Sequence, residues 1–150
     1  MGDIWNIKAR YKAAMNAEIR GTRGMWFAGG TAPESNVIDY INILSTGNAT
    51  DFGDLTKAKY QCAASGSTTR SVIGGGATNG TAENVIEFVT PASTGNGADF
   101  GDLTSARSRP AGFSSNTRAI WGGGKDPSVS DVIDYISIAS IGNAIDFGNL

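Results

Sequence analysis

The chain has no histidine and a single cysteine, Cys62, among its 150 residues. Without histidine, His-dependent triads, imidazole acid–base chemistry and the common zinc and copper sites are excluded. One cysteine makes no intrachain disulfide and no metal site alone. Charge is sparse as well, with 12 Lys and Arg against 14 Asp and Glu and a formal net charge of −2. Such a balance carries no electrostatic case for nucleic acid. No run of 18 apolar residues occurs, so no membrane insertion is expected. The opening MGDIWNIK has an acid at Asp3 and no apolar stretch, unlike a signal peptide. It also places Asn6 where a myristoylation signal needs Ser or Thr.

Glycine, by contrast, is abundant at 21 residues, set among short apolar runs with little helical patterning. An all-β, turn-rich chain is predicted, long enough for one domain with a core.

The dominant feature is a repeat. VIDYINILSTGNATDFGDL (37–55) returns as VIEFVTPASTGNGADFGDL (85–103) and as VIDYISIASIGNAIDFGNL (132–150), the first and last agreeing at 14 of 19 positions. Asp51, Asp99 and Asp146 are spaced by 48 and 47 residues, and Arg23, Arg70 and Arg118 by 47 and 48. Each Arg opens an apolar stretch that runs into glycines: RGMWFAGG, RSVIGGG and RAIWGGG. A unit thus reads Arg, apolar strand, Gly-Gly, variable loop, VIDY strand, STGN turn, DFGDL, then an Ala-Lys or Ala-Arg step and a small-residue strand. The units are taken as 23–69, 70–117 and 118–150. About four short strands per unit is the size of one propeller blade.

Segment 1–22 has two readings. KAAMNAEI can form a helical arm. Alternatively, Lys8-Ala9-Arg10-Tyr11 matches Lys57-Ala58-Lys59-Tyr60, so that 1–22 carries a closing strand and completes the last unit, which stops at Leu150. The closing strand is preferred. The VIDY strand is apolar on both faces, which predicts cover on both sides by stacked sheets.

These residues resemble the kelch repeat, in which a di-glycine strand end, a Tyr–Asp-like pair, an aromatic and a small-residue–Arg step recur. Here they are Gly29-Gly30, Asp39-Tyr40, Phe52 and Ala58-Lys59; then Gly75-Gly76, Glu87-Phe88, Phe100 and Ala106-Arg107; then Gly123-Gly124, Asp134-Tyr135 and Phe147, with Ala9-Arg10. Phe replaces the usual Trp, and Asp precedes Tyr. The fuller wording TRGxxGGG…VIDYxxIxSTGNAxDFGDLTxAR resembles repeats of uncharacterised virion and tail-associated bacteriophage proteins. The resemblance implies four-stranded blades. Three are too few to close a ring, which takes roughly four to eight. The expected architecture is therefore half of a six-bladed β-propeller completed by a second subunit. A single-chain threefold fold, β-trefoil or β-prism, is the alternative.

Several chemical readings are weaker than their structural counterparts. DFG occurs three times, and a kinase needs an HRD loop that a chain without His lacks. Gly124-Lys125-Asp126 fails the phosphate-loop pattern, so the glycine runs read as strand-end turns. Asp51 with Asp54, and Asp99 with Asp102, offer too few ligands for calcium and read as turn caps. Trp5, Trp26 and Trp121 could stack on sugars, but packing within or between blades is preferred. Asp39, Glu87 and Asp134 lie mid-strand among apolar residues, and a buried carboxylate needs a cation. The Arg23, Arg70 and Arg118 series is the expected partner. Together with Phe52, Phe100, Phe147, Gly29, Gly75 and Gly123, these are the expected frame residues.

The expected function is that of a non-enzymatic structural component of a bacteriophage particle, in the tail or on the outer surface. It would form a homo-oligomer, a dimer by preference, alongside other virion proteins, and would use no cofactor or metal. The alternative is a module that binds a host-surface glycan or protein through loops 31–36, 77–84 and 125–131.

Overall fold

Short apolar runs bounded by Gly, Ser and Asn become strands. The computed structural model describes residues 21–28 and 34–150, and among them the chain is all-β, with thirteen strands in four antiparallel sheets and no helix. The first sheet joins β1 (Arg23–Phe27), β2 (Ser35–Asn42) and β3 (Thr50–Lys59). The chain continues through β4 (Ala63–Gly66) and β5 (Ser71–Gly74) to a small hairpin, β6 (Ala77–Thr78) with β7 (Thr81–Ala82). It then enters β8 (Val85–Val89) and β9 (Ala98–Asp102), and β4-β5-β8-β9 form the second sheet. The third sheet is β10 (Ala111–Ser114), β11 (Arg118–Gly122), β12 (Val132–Ser137) and β13 (Ile145–Asn149).

The sheets begin one strand earlier than the Arg-led unit. The small-residue strand pairs with the Arg strand that follows it, Ala63 opposite Gly74 and Ala111 opposite Gly122. A tight turn forces this. Ser67 N–H donates to Arg70 O at 2.7 Å and Ser115 N–H to Arg118 O at 2.9 Å, while each serine hydroxyl caps the same turn from inside. Among the described residues the third sheet takes its fourth strand from Ala111–Ser114, while the segment expected to complete it, 1–22, falls almost wholly on residues that are not described. Residues 1–20, like Gly29 and Gly30, lie outside the described residues.

The DFG motif has a backbone role. In all three sheets the register slips just before the acid of the VIDY strand: Ile38 faces Gly53 but Asp39 faces Asp51, Ile86 faces Gly101 but Glu87 faces Asp99, and Ile133 faces Gly148 but Asp134 faces Asp146. The Phe between is the extra residue of a β-bulge, a device that re-aims a side chain. Phe52, Phe100 and Phe147 each turn edge-on to the VIDY aromatic, Tyr40, Phe88 or Tyr135, with ring centroids 5.7, 5.9 and 5.8 Å apart. The Gly after it adopts φ of +144°, +144° or +139°, a region L-side chains avoid.

The sheets stack in chain order, with the second in the middle. One core holds Ile38, Phe52 and Leu55 of the first sheet's segment against Ile73 and Val89 of the second. The other holds Val72, Ile86, Phe100 and Leu103 against Ala119, Trp121, Ile136 and Ile138. Adjacent residues Val72 and Ile73 thus enter opposite cores, and the middle sheet is covered on both faces, as expected for a strand apolar on both sides.

Candidate functional site

The most heavily built parts of the molecule are the two seams between sheets, made twice from the same groups. The first is a backbone graft. Gly95 N–H donates to Phe52 O at 2.8 Å and Gly97 N–H to Asp54 O at 2.7 Å. One period on, Gly142 N–H donates to Phe100 O at 2.9 Å and Ala144 N–H to Asp102 O at 2.8 Å. The turn asparagine completes each graft, Asn96 Oδ1 accepting from Asp54 N–H at 3.0 Å and Asn143 Oδ1 from Asp102 N–H at 3.1 Å. The STGN turn of one sheet therefore caps the edge strand of the sheet before it. Open strand edges pair indiscriminately, and this one is occupied.

The second layer is a buried ion pair. Lys59 Nζ lies 2.7 Å from Glu87 Oε2, and Arg107 Nη2 lies 2.6 Å from Asp134 Oδ2, all four side chains essentially inaccessible. The carboxylates accept further bonds: Glu87 Oε1 from Thr56 N–H at 2.7 Å, and Asp134 from Thr104 N–H at 3.1 Å and from its hydroxyl at 2.7 Å. Glu87 and Asp134 are thus buried carboxylates as expected, whereas Asp39 is half-buried, and the cations of the first two are not Arg70 and Arg118. The register explains the correction. Glu87 and Asp134 stand opposite Ile73 and Trp121, whereas Arg70, just before β5, and Arg118, at the start of β11, lie three residues earlier, about 10 Å away along the chain. The cation comes instead from the Ala-Lys or Ala-Arg step, which arrives from the preceding sheet.

The Arg series makes a third layer. Arg23, Arg70 and Arg118 place their guanidinium groups over Tyr40, Phe88 and Tyr135, 4.5, 4.8 and 4.8 Å from the ring centroids. From that perch Arg23 Nη1 donates to Pro91 O at 2.5 Å and Arg70 Nη1 to Ile138 O at 2.8 Å, each in the turn that follows the VIDY strand of the next sheet.

The remaining expected residues fall into place around these seams. Gly75 and Gly123, at φ +66° and +67°, end their strands as turns. A Cβ on Gly75 would sit 2.6 Å from Arg107 O, so glycine is required there for close approach of the ion-pair segment. Trp121 is wholly buried and donates its indole N–H to Ala63 O at 3.0 Å, while Trp26 lies exposed on the outside of the first sheet. Asp51 caps locally, accepting from Gly53 N–H at 3.2 Å. No group of three or more metal-ligating residues occurs among the described residues. Burial pushes the Cys62 thiol above its ordinary pKa, only partly opposed by Lys59.

The variable loops form a separate feature. Loop 77–84 is the β6–β7 hairpin, with Asn79 and Gly80 both at positive φ as a two-residue type I′ turn requires. Beside loop 125–131 it borders a polar cleft of about 370 Å³, lined by Tyr60, Gln61, Ser108, Arg109, Lys125 and Asp126 among others. Sequence reasoning missed Gln61 and Arg109. They hold the same place in successive repeats, both at φ +57°, and Arg109 N–H donates to Gln61 O at 2.8 Å.

No protein-family model matches the chain, and no curated protein matches it in sequence.

Proposed function

We propose that the chain is a non-enzymatic structural component of a bacteriophage particle, of the tail or outer surface, that works by assembly of kelch-like blades. On this reading each of the three larger sheets is a blade, and the chain is half of a propeller completed by another subunit. The observation that carries it is the seam: the same graft, ion pair and Arg–aromatic stack recur between successive sheets. Glu87 and Asp134, mid-strand acids that could do chemistry, are engaged in holding sheets together. The particle assignment is supported by the repeat wording that resembles virion proteins. Light scattering after size exclusion tests assembly, with a mass above the 15.5 kDa chain expected and a monomer at every concentration overturning it. Mass spectrometry of purified particles of the encoding phage tests the location.

A second reading, a module that binds a host-surface glycan, is favoured by the polar cleft beside two variable loops. Sugar hydroxyls suit Arg109, Asp126 and Gln61, with Tyr60 as a ring to stack on. A thermal shift with surface glycans that disappears in Arg109→Ala would support it; no shift across the panel would remove it.

A further inference from the structure

Among the described residues, the third sheet carries the bulged edge and the Arg–aromatic stack of a seam, without the ion-pair cation, and nothing is seated on them. Gly148 N–H donates to Asp146 Oδ1 at 3.1 Å and holds φ +139°, matching Gly53 and Gly101 at +144°. Tyr135 and Phe147 keep the edge-on geometry, and Arg118 keeps its place over Tyr135. The bulge is thus formed in advance of any partner. What differs is cover. A Cβ built on Gly53 or Gly101 meets the carbonyl oxygen of Gly95 or Gly142 at 2.5 Å, whereas on Gly148 it meets nothing within 4 Å. Phe147 is 53% exposed where Phe100 is 0%, and Leu150 is 80% exposed where Leu103 is 3%. β13 is the edge of its sheet.

The filling side of a seam lies at the opposite end of the stack. The first sheet carries Ser45-Thr46-Gly47-Asn48-Ala49, in register with Ser93–Gly97 and Ser140–Ala144, and it is exposed. Ile43 is 60% exposed where its counterpart Ile138 is 2%, and Trp26 is 55% exposed where Trp121 is 0%. Side-chain sizes match as well. Trp121 seats on Gly74, whose Cβ would lie 2.7 Å from the indole, while the smaller Ile73 shares its core with Phe27. The strand position equivalent to Gly74 in the third sheet is again glycine, Gly122, and the unseated counterpart of Trp121 is Trp26.

We infer that the outer face of the third sheet is a third seam, occupied by the first sheet of a second copy of this chain, head to tail. The inference rests on the assembly reading above and names its partner and contact. Repeat register specifies the bonds. Gly47 N–H and Ala49 N–H of the second copy donate to Phe147 O and Asn149 O, Asn48 Oδ1 accepts from Asn149 N–H, and Arg118 donates to Ile43 O. Trp26 of the second copy lies on Gly122. Because the two faces differ, the contact is heterologous, and repetition gives a ring or an open chain according to its rotation. Two copies bring six of the larger sheets, within the range of blades in closed propellers.

Cross-linking of the full chain tests this. In a Cys62→Ala background, Asn48→Cys and Asn149→Cys proteins are prepared separately, both positions being exposed. A covalent dimer of about twice the 15.5 kDa chain is expected on mild oxidation of the mixture, and none from either protein alone. Cross-linking of Asn149→Cys with itself, or none in the mixture, overturns the head-to-tail seam. By light scattering, Asn48→Ala and Arg118→Ala should each weaken association about tenfold. If an oligomer persists unchanged in both, the inference fails while assembly stands. If the wild-type chain is monomeric throughout, both fail, and other residues of the same chain cover the face.

Discussion

Phe100 and Phe147 occupy the same place in the same motif, in the same bulge and edge-on to the same kind of ring. One is wholly buried and the other half exposed. The bulge is therefore a property of the local sequence, and burial a property of the neighbour. Asp146 holds Gly148 N–H, and Arg118 stays parked over Tyr135, with no sheet beyond them among the described residues. The inner seams show what such a preformed edge is for.

The strongest way to break the comparison is at the ion pair. Asp134→Ala leaves Arg107 buried without its carboxylate and should cost about 3–5 kcal/mol in urea denaturation followed by Trp121 fluorescence. A loss below 1 kcal/mol would mean that the pair does not hold the seam. Next, Phe100→Ala should cost about 3–5 kcal/mol of single-chain stability, whereas Phe147→Ala should cost under about 1 kcal/mol. Equal losses would erase the distinction between inner seam and outer face. Gly148→Ala should cost about 1–2 kcal/mol from φ alone. Gly101→Ala adds a clash with Gly142 O at 2.5 Å and should cost more. The smallest effect concerns Cys62, which packs against the core between the first and second sheets. Its raised pKa means that the unfolded chain loses the thiol proton first. The stability this confers is full below the unfolded thiol pKa of about 8.5 and fades as pH rises above it. Cys62→Ala should flatten that part of the alkaline stability loss, as denaturant midpoints at pH 8 and pH 10 would reveal.

Much of this was readable before any coordinates. The period, the strand identities, the di-glycine turns and the two-sided VIDY strands follow from composition and spacing. The buried acids were legible because a carboxylate among Val, Ile and Tyr demands a partner. The partner itself was not. The Arg series shares the repeat period with the acids, but so do Lys59 and Arg107, and period alone cannot choose between them. Strand register decides, since it sets Trp121 rather than Arg118 opposite Asp134. The bulge was equally hidden. DFG reads as a turn with caps, and only pairing shows that Phe100 is an inserted residue. The position of β10 was missed because a repeat can be cut at any phase, and the tight Ser115–Arg118 turn sets where the sheet begins.

The stacking order also bears on how the molecule comes apart. Among the described residues its two cores are separate, and the second sheet alone contributes to both. Such an array behaves as a one-dimensional lattice, in which a unit's protection counts its neighbours. Amide hydrogens of β5 and β8 should exchange slowest, and those of β1 and β13 should open by end fraying well below the global unfolding energy. Closure with a second copy would abolish the ends, so deuterium uptake at β13 would report whether the array is still a line or has become a circle.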